Sequence, residues 1–161
     1  MTDNVIQLKN ENILKFEIAT EDGKKTGDFL EFDLEDIELP FKYQELLEKM
    51  KKSRINLKNQ LTIIDKKQDH KGKKALSSNE EAKLRAINGF FKEQVNIYNI
   101  FLGENGVQKL LHGRNLRWST IGEIDEIIEK QIAPKLDLTM KSIEEKIKNK
   151  YSNIKEDKVI E

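Results

Sequence analysis

The segment from Phe101 to Arg114 constrains the fold most, because glycines interrupt an otherwise helical pattern. An apolar helix runs into Gly103, stops, restarts for one or two turns, and ends at Gly113. Gly103 is expected to end the first helix in a left-handed cap, and Asn105 to cap the short helix that follows. The segment thus predicts a tight helix corner without reactive side chains, which favours binding over catalysis.

The corner also matches the helix–GxxG–helix pattern of a KH nucleic-acid clamp, since Gly103 and Gly106 flank Glu104 and Asn105. Glu104 would place a negative charge where phosphate binds. The segments after the corner read as helices, whereas the KH topology needs a strand. A structural role for Gly103, Gly106 and Gly113 is therefore favoured.

Residues 13–35 predict a β-hairpin, because two alternating runs flank an Asp-Gly loop. One predicted apolar face consists of Leu14, Phe16, Ile18, Leu30, Phe32 and Leu34. An isolated hairpin is marginal in water, so this face is expected to pack on helices.

Helices are predicted over about 40–64, 78–102, 105–112 and 119–133. Pro40 suits the first turn of the first helix, and Ser77 or Ser78 begins a capping box for the second. The first helix has a narrow apolar seam that only Arg54 interrupts: Tyr43, Leu47, Met50, Leu57, Leu61 and Ile64. The second helix has a wider stripe, which predicts burial on two sides at the centre of the fold.

Ser119 or Thr120 is expected to cap the helix at 119–133, and Pro134 to end or kink it. A further apolar stripe of Leu136, Met140, Ile143 and Ile147 continues at helical spacing. This stripe docks on its own domain, mediates self-association, or folds only with a partner. The sequence alone leaves these three alternatives open.

The predicted architecture is α+β and mostly α, with an N-terminal hairpin packed on a bundle of about four to five helices. We expect a flexible N-terminus over residues 1–10, one domain over 11–133, and a helical extension with a frayed end over 134–161. A chain of 161 residues suits a single domain with a modest core.

Charge is segregated along the chain, although the net charge is zero. Residues 1–40 sum to −7, residues 41–118 to +9 and residues 119–161 to −2. The basic middle therefore faces the acidic start or an acidic partner. The chain has no cysteine, no membrane-length apolar run and no signal pattern, so a cytoplasmic protein is expected.

No set of residues predicts an enzyme, a metal site or a cofactor site. His70 and His112 have no sequence partner that suggests a catalytic triad. An acidic cluster reads mainly as the solvent side of a strand: Glu31, Asp33, Glu35, Asp36 and Glu38. A group of loop lysines reads as a solvated connector rather than as a nucleic-acid site: Lys66, Lys67, Lys71, Lys73 and Lys74.

The order of these elements resembles that of a known family. The chain has a hairpin ending in Leu-Glu-Phe-Asp-Leu, two long helices, a corner with the sequence Phe-Leu-Gly-Glu-Asn-Gly-Val-Gln-Lys-Leu-Leu-His-Gly-Arg, and an Ile-rich helix. The family is that of the tail assembly chaperones of long-tailed bacteriophages and prophages, particularly those of Gram-positive hosts. The likeness covers roughly residues 13–133. The insert at 65–74 and the extension after residue 133 are less typical of the family.

The resemblance implies a non-enzymatic protein of the bacterial host cytoplasm. Such chaperones hold the tape-measure protein, a very long helical polypeptide, and help recruit tail-tube subunits around it. They are absent from the finished tail, and many self-associate. The rival interpretations are a structural tail component that stays in the particle and a nucleic-acid-binding regulator that uses the basic middle.

The residues around the corner are the predicted surface for the partner or for a second copy of the chain: Phe101, Leu102, Leu110, Leu111, Arg114 and Trp118. Trp118 alone has two interpretations. A lone tryptophan before a helix cap is more often a core anchor, but its neighbour Arg117 keeps a binding role open.

Overall fold

The computed structural model describes residues 4–8, 12–138, 144–145 and 148. Two strands and four helices follow in order, and a π-helical segment continues the last helix. They are β1 (Ile13–Ala19), β2 (Lys25–Asp33), α1 (Leu39–Asp65), α2 (Ser78–Leu102), α3 (Gly106–Leu111), α4 (Trp118–Glu126) and the π segment (Ile127–Ile132). The predicted fold class, α+β and mostly α with an N-terminal hairpin, is confirmed.

The hairpin packs its apolar face on the helices, as its alternation predicts. β1 and β2 are antiparallel, with Phe16 opposite Leu30, and the pairing is irregular between Glu17 and Ala19. Phe32 is buried, and its ring centroid lies 5.3 Å from that of Phe101 in α2. Leu34 differs from the prediction: it lies just after β2 ends and is exposed.

α1 and α2 form an antiparallel pair, and the core lies between this pair, the hairpin, α3 and the π segment. Asp65 near the end of α1 forms an ion pair with Lys83 near the start of α2. At the other end, the ring of Tyr43 lies 5.2 Å from that of Phe101. α2 is thus central, as its wide stripe predicts.

The face of α1 that packs on α2 is rotated from the predicted seam. Leu46 is buried in the core, whereas Leu47 is 52% exposed. Met50, Leu57 and Ile64 belong both to the predicted seam and to the buried face. Apolar residues spaced by three and four fit either of two adjacent faces of a helix. The sequence pattern alone therefore did not show which of the two faces is buried.

Gly103 ends α2 and Asn105 begins α3, as predicted, but neither residue has the predicted capping geometry. Gly103 has φ 92° and ψ 178°, which is not a left-handed helical cap. Asn105 is itself left-handed, with φ 58°, and its side chain makes no capping bond. Instead, Asn99 of α2 accepts a 2.9 Å hydrogen bond from the Val107 N–H.

α3 ends at two consecutive positive-φ residues, His112 and Gly113, where the sequence indicated glycine alone. Gly106 is required by space rather than by φ. A Cβ placed on it would lie 2.5 Å from the Cβ of Leu102. The three corner glycines are therefore structural, each for its own reason.

α4 begins earlier than predicted, with Arg117 as its N-cap. Thr120 acts from inside the first turn, where its hydroxyl accepts a 2.7 Å hydrogen bond from the Arg117 N–H. The prediction that Ser119 or Thr120 is the N-cap residue is therefore wrong, because the N-cap lies two or three residues earlier, at Arg117. From Ile127 the helix widens into the π segment, which ends just before Pro134. The ring of Pro134 clashes with the geometry of a continuing α-helix, which accounts for the change.

The domain extends past the predicted boundary at residue 133. Leu136 lies in a turn and Leu138 just after it, and both are buried in the same core as the hairpin. Leu136 thus docks on its own domain and is not available for self-association. Met140, Ile143 and Ile147 lie outside the described residues, as do residues 1–3 and 9–11. Residues 4–8 have no regular secondary structure.

Candidate binding site along the first long helix

Half of the predicted partner surface is core. Phe101 and Leu102 are each 3% exposed, and Leu111 is 7% exposed. Their side chains pack among the hairpin, α2 and α3 and are not accessible to a partner in this structure. The prediction is wrong for these three residues, because an apolar helix end beside a corner has the same sequence pattern whether it is buried or exposed.

The other three predicted residues lie in two different places. Leu110 is half-buried and Arg114 is exposed, and both line a cavity of about 380 Å³ beside the hairpin. Trp118 lines a separate cavity next to α1. The structure therefore does not bring the predicted partner residues together into one surface.

Two adjoining cavities follow α1 on the side that faces α4 and the π segment. Their volumes are about 740 and 450 Å³, and both are lined by Arg54 and Asp125. We call the two together the trough. Its α1 wall runs from Tyr43 to Leu61, which spans about 27 Å at the rise of an α-helix.

The trough offers apolar surface at both ends. In the larger cavity, Leu47 and Ile55 are 52% and 49% exposed and stand above a floor of buried Leu46 and Met50. Leu47 belongs to the predicted seam of α1 and Ile55 does not, so only part of that seam lies on a face that α2 leaves uncovered. Exposed leucine and isoleucine lining one concave surface are typical of a contact site.

Trp118 stands at the other end of the trough and is 55% exposed, so its interpretation as a core anchor is wrong. Its ring is stacked on Phe90 at 5.6 Å and lies edge-on to Phe91 at 4.9 Å. Phe90 is buried together with Leu57 beneath it. A large aromatic ring that is fixed by neighbours yet open to solvent is a common anchor in protein interfaces.

A polar bridge crosses the middle of the trough. The Arg54 guanidinium lies 2.7 Å from Asp125 Oδ2, and the buried Tyr98 hydroxyl donates a 2.5 Å hydrogen bond to Asp125 Oδ1. Burial, and after it the bond to Asp125, raises the pKa of Tyr98 far above its usual value. Tyr98 therefore stays neutral and holds the carboxylate toward Arg54. The only signal for this bridge in the sequence was the interruption of an apolar stripe by Arg54.

The two walls of the trough carry opposite charge. Lys51, Arg54 and Lys58 line the α1 wall, whereas Asp125 and Glu129 line the opposite wall. Burial raises the pKa of Tyr43, and the negative charge of Glu129 adds to that effect across the larger cavity. The trough is thus a bipolar cleft with an apolar floor.

Glu31, His70 and His112, which the sequence also singled out, have structural roles. Glu31 lies 3.6 Å from Lys15 on the solvent side of the hairpin. The backbone N–H of His70 donates to Ser78 Oγ, and His112 ends α3. Within the described ranges there is no group of three or more potential ligands that could hold a metal ion. Within the same ranges, no helix combines the length and the apolarity needed to cross a membrane.

Comparison of the chain with protein-family models, with curated proteins and with solved structures gave no match. A functional assignment therefore depends on the family resemblance of the sequence and on the chemistry of the trough.

Proposed function

We propose that the chain is a non-enzymatic phage tail assembly chaperone of the bacterial host cytoplasm. It transiently binds the tape-measure protein and helps to recruit tail-tube subunits. The observation that carries this proposal is the trough, whose α1 wall is about 27 Å long and carries the exposed side chains of Leu47 and Ile55. That length fits about five turns of an amphipathic helix laid into a groove.

The composition of the trough suits transient binding. Its apolar contact residues are few, and the partly exposed ion pair between Arg54 and Asp125 places charge at its centre. Interfaces of this kind gain affinity from a small number of anchors, while exposed charge pairs add little. A tape measure exposes amphipathic helices before the tail tube encloses it, and a releasable cover prevents their aggregation.

The test is co-purification with the tape-measure protein of the phage or prophage that encodes the chain. The variant Leu47→Glu/Ile55→Glu places charge on the apolar part of the trough without touching the core, because both side chains are already half exposed. We expect it to lose the complex. The matched control, Ile63→Glu/Leu84→Glu, alters residues that are 57% and 53% exposed and line neither cavity, and should retain it.

Equal retention of the tape-measure protein by both double variants would contradict the role of the trough. Mass spectrometry of purified particles addresses the main alternative, a structural component of the tail. A chaperone is depleted from mature particles, whereas a component is present in stoichiometric amounts.

A further inference from the structure

The charged residues of the trough are arranged in two lines that restrict what can fill it. Lys51, Arg54 and Lys58 are spaced by three and four residues, so they share one face of α1 over about 10 Å. Asp125 and Glu129 lie one helical turn apart on the opposite wall. Any helix in the trough has one flank along the cations and the other along the carboxylates.

These charges are only partly neutralised within the protein. Arg54 reaches across to Asp125. Lys51 and Lys58 form no ion pair with any described residue, and neither does Glu129. The lining therefore keeps two ammonium groups without an ion pair on one side. On the other side it keeps the Glu129 carboxylate, which forms no ion pair but is close enough to Lys130 to raise the pKa of that lysine. A helix with lysine or arginine beside α1 would meet like charge there, which is unfavourable in a partly desolvated site.

We propose, resting on the chaperone function above, that the trough binds an amphipathic helix of another protein whose flank facing α1 is acidic. Its apolar seam covers Leu47 and Ile55, and carboxylates spaced by three or four residues reach Lys51 and Lys58. Basic residues on its other flank meet Glu129. Because the seam faces inward and the acidic flank faces α1, the charges also set the direction in which the helix lies.

The lone tryptophan makes the proposal measurable, since Trp118 lines the trough and is the chain's single Trp. The probes are two Trp-free peptides of about 18 residues with the same leucine seam. Both carry lysine on one flank of the seam. On the other flank one peptide carries glutamate and the other carries lysine, so the second peptide places lysine beside α1 in either direction. We expect the glutamate peptide to change Trp118 fluorescence with an affinity about tenfold higher at low salt, and this difference to shrink as salt is added.

Charge reversal on α1 distinguishes binding that depends on charge from non-specific hydrophobic binding of the peptides. The variant Lys51→Glu/Lys58→Glu should invert the preference and favour the lysine peptide. The control Lys52→Glu/Lys73→Glu makes the same change in net charge at exposed positions that line neither cavity, and should keep the original preference.

The possible outcomes are distinguishable. Equal binding of both peptides, or a preference that the Lys51→Glu/Lys58→Glu variant leaves unchanged, overturns the charge rule while the trough remains a helix site. Failure of both peptides to bind overturns the charge rule and also removes the trough from the proposed function. If sedimentation shows a dimer of the unliganded chain that the same variant dissociates, the occupant is a second copy and the proposal is wrong.

Discussion

At the scale of single residues, Gln94 shows how a polar side chain can define a helix pair. It is fully buried between α1 and α2, and its Nε2 donates a 3.0 Å hydrogen bond to the buried Ser53 Oγ. Gln94 Oε1 has no partner among the described residues. Sliding α1 along α2 would break the one bond that Gln94 makes and leave two buried polar groups unpaired, so the pair favours a single register.

Such residues limit what the sequence predicts. Gln94 interrupts an apolar stripe in α2, as Arg54 does in α1, but Gln94 is buried and Arg54 reaches the surface. The capping hydroxyl of Ser77 was predictable because its partner, the Glu80 N–H, is three residues away. The capping amide of Asn99 was not, because its partner lies beyond a corner whose geometry the sequence does not specify.

Gly106 and Gly89 differ in how much space surrounds them, so replacing each with alanine should change stability in opposite directions. Gly106→Ala should destabilise the protein by about 1–3 kcal/mol, since the new Cβ would lie against the Cβ of Leu102 and the backbone must shift. Gly89→Ala in α2 has open space around it and should stabilise by about 0.5–1 kcal/mol. Urea unfolding midpoints measure both. A neutral Gly106→Ala variant would show that the corner is looser than the structure indicates.

At the scale of elements, the connection between α1 and α2 is more ordered than a solvated linker. Asp69 Oδ1 accepts hydrogen bonds from the Asn79 N–H at 3.0 Å and from the Ser78 hydroxyl at 3.2 Å. The Asn79 side chain in turn donates to the Lys67 carbonyl oxygen. The loop carboxylate thus caps the first turn of α2, where free N–H groups and the helix dipole favour a negative charge. The lysine-rich composition alone did not reveal this contact.

This cap should make stability depend on pH. The Asn79 N–H, followed by the serine hydroxyls, lowers the pKa of Asp69 below its usual value of 3.8. Because the folded-state pKa is the lower one, the stabilising contribution is complete above pH 3.8 and is lost as pH falls through the folded value. We expect the Asn79 amide resonance to titrate with a midpoint below 3.8.

An Asp69→Asn variant gives the corresponding stability measurement. It should be less stable than the wild-type protein near neutral pH, and the difference should narrow in acid as the wild-type carboxylate is protonated. Asp22→Asn, at an exposed position in the hairpin turn, is the control and should show no such narrowing. If the two variants behave alike, the loop does not cap α2.

At the scale of the whole molecule, the elements were predictable and their mutual arrangement was only partly so. Local patterns predicted the hairpin, the four helices and the central position of α2. The trough arises because α4 and the π segment approach α1 from a direction that no local pattern encodes. Trp118 and Leu47 are exposed for this reason, although both are large apolar residue types that are usually buried.

Residues 133–138, which follow the π segment, also belong to the domain, and their contribution to stability can be measured. Leu136 and Leu138 are 1% and 8% exposed in the main core. A chain ending at Leu138 should therefore be more stable than one ending at Ala133 by about 3–6 kcal/mol, at roughly 1.5–3 kcal/mol for each buried leucine. Denaturant unfolding of the two truncated chains measures the difference, and Leu136→Ala in the full chain isolates the larger contact.

The same truncation tests whether this turn supports the trough. Leu136 packs in the core with Ile128 and Ile132 of the π segment, and the backbone N–H of Leu136 bonds to the Ile132 carbonyl oxygen at 3.1 Å. Loss of the turn should loosen the π segment, whose Ile128 and Glu129 line the larger cavity. We expect the chain ending at Ala133 to bind the glutamate-flanked peptide more weakly even where it remains folded. Unchanged binding together with unchanged stability would place the turn outside the domain and restore the boundary at residue 133.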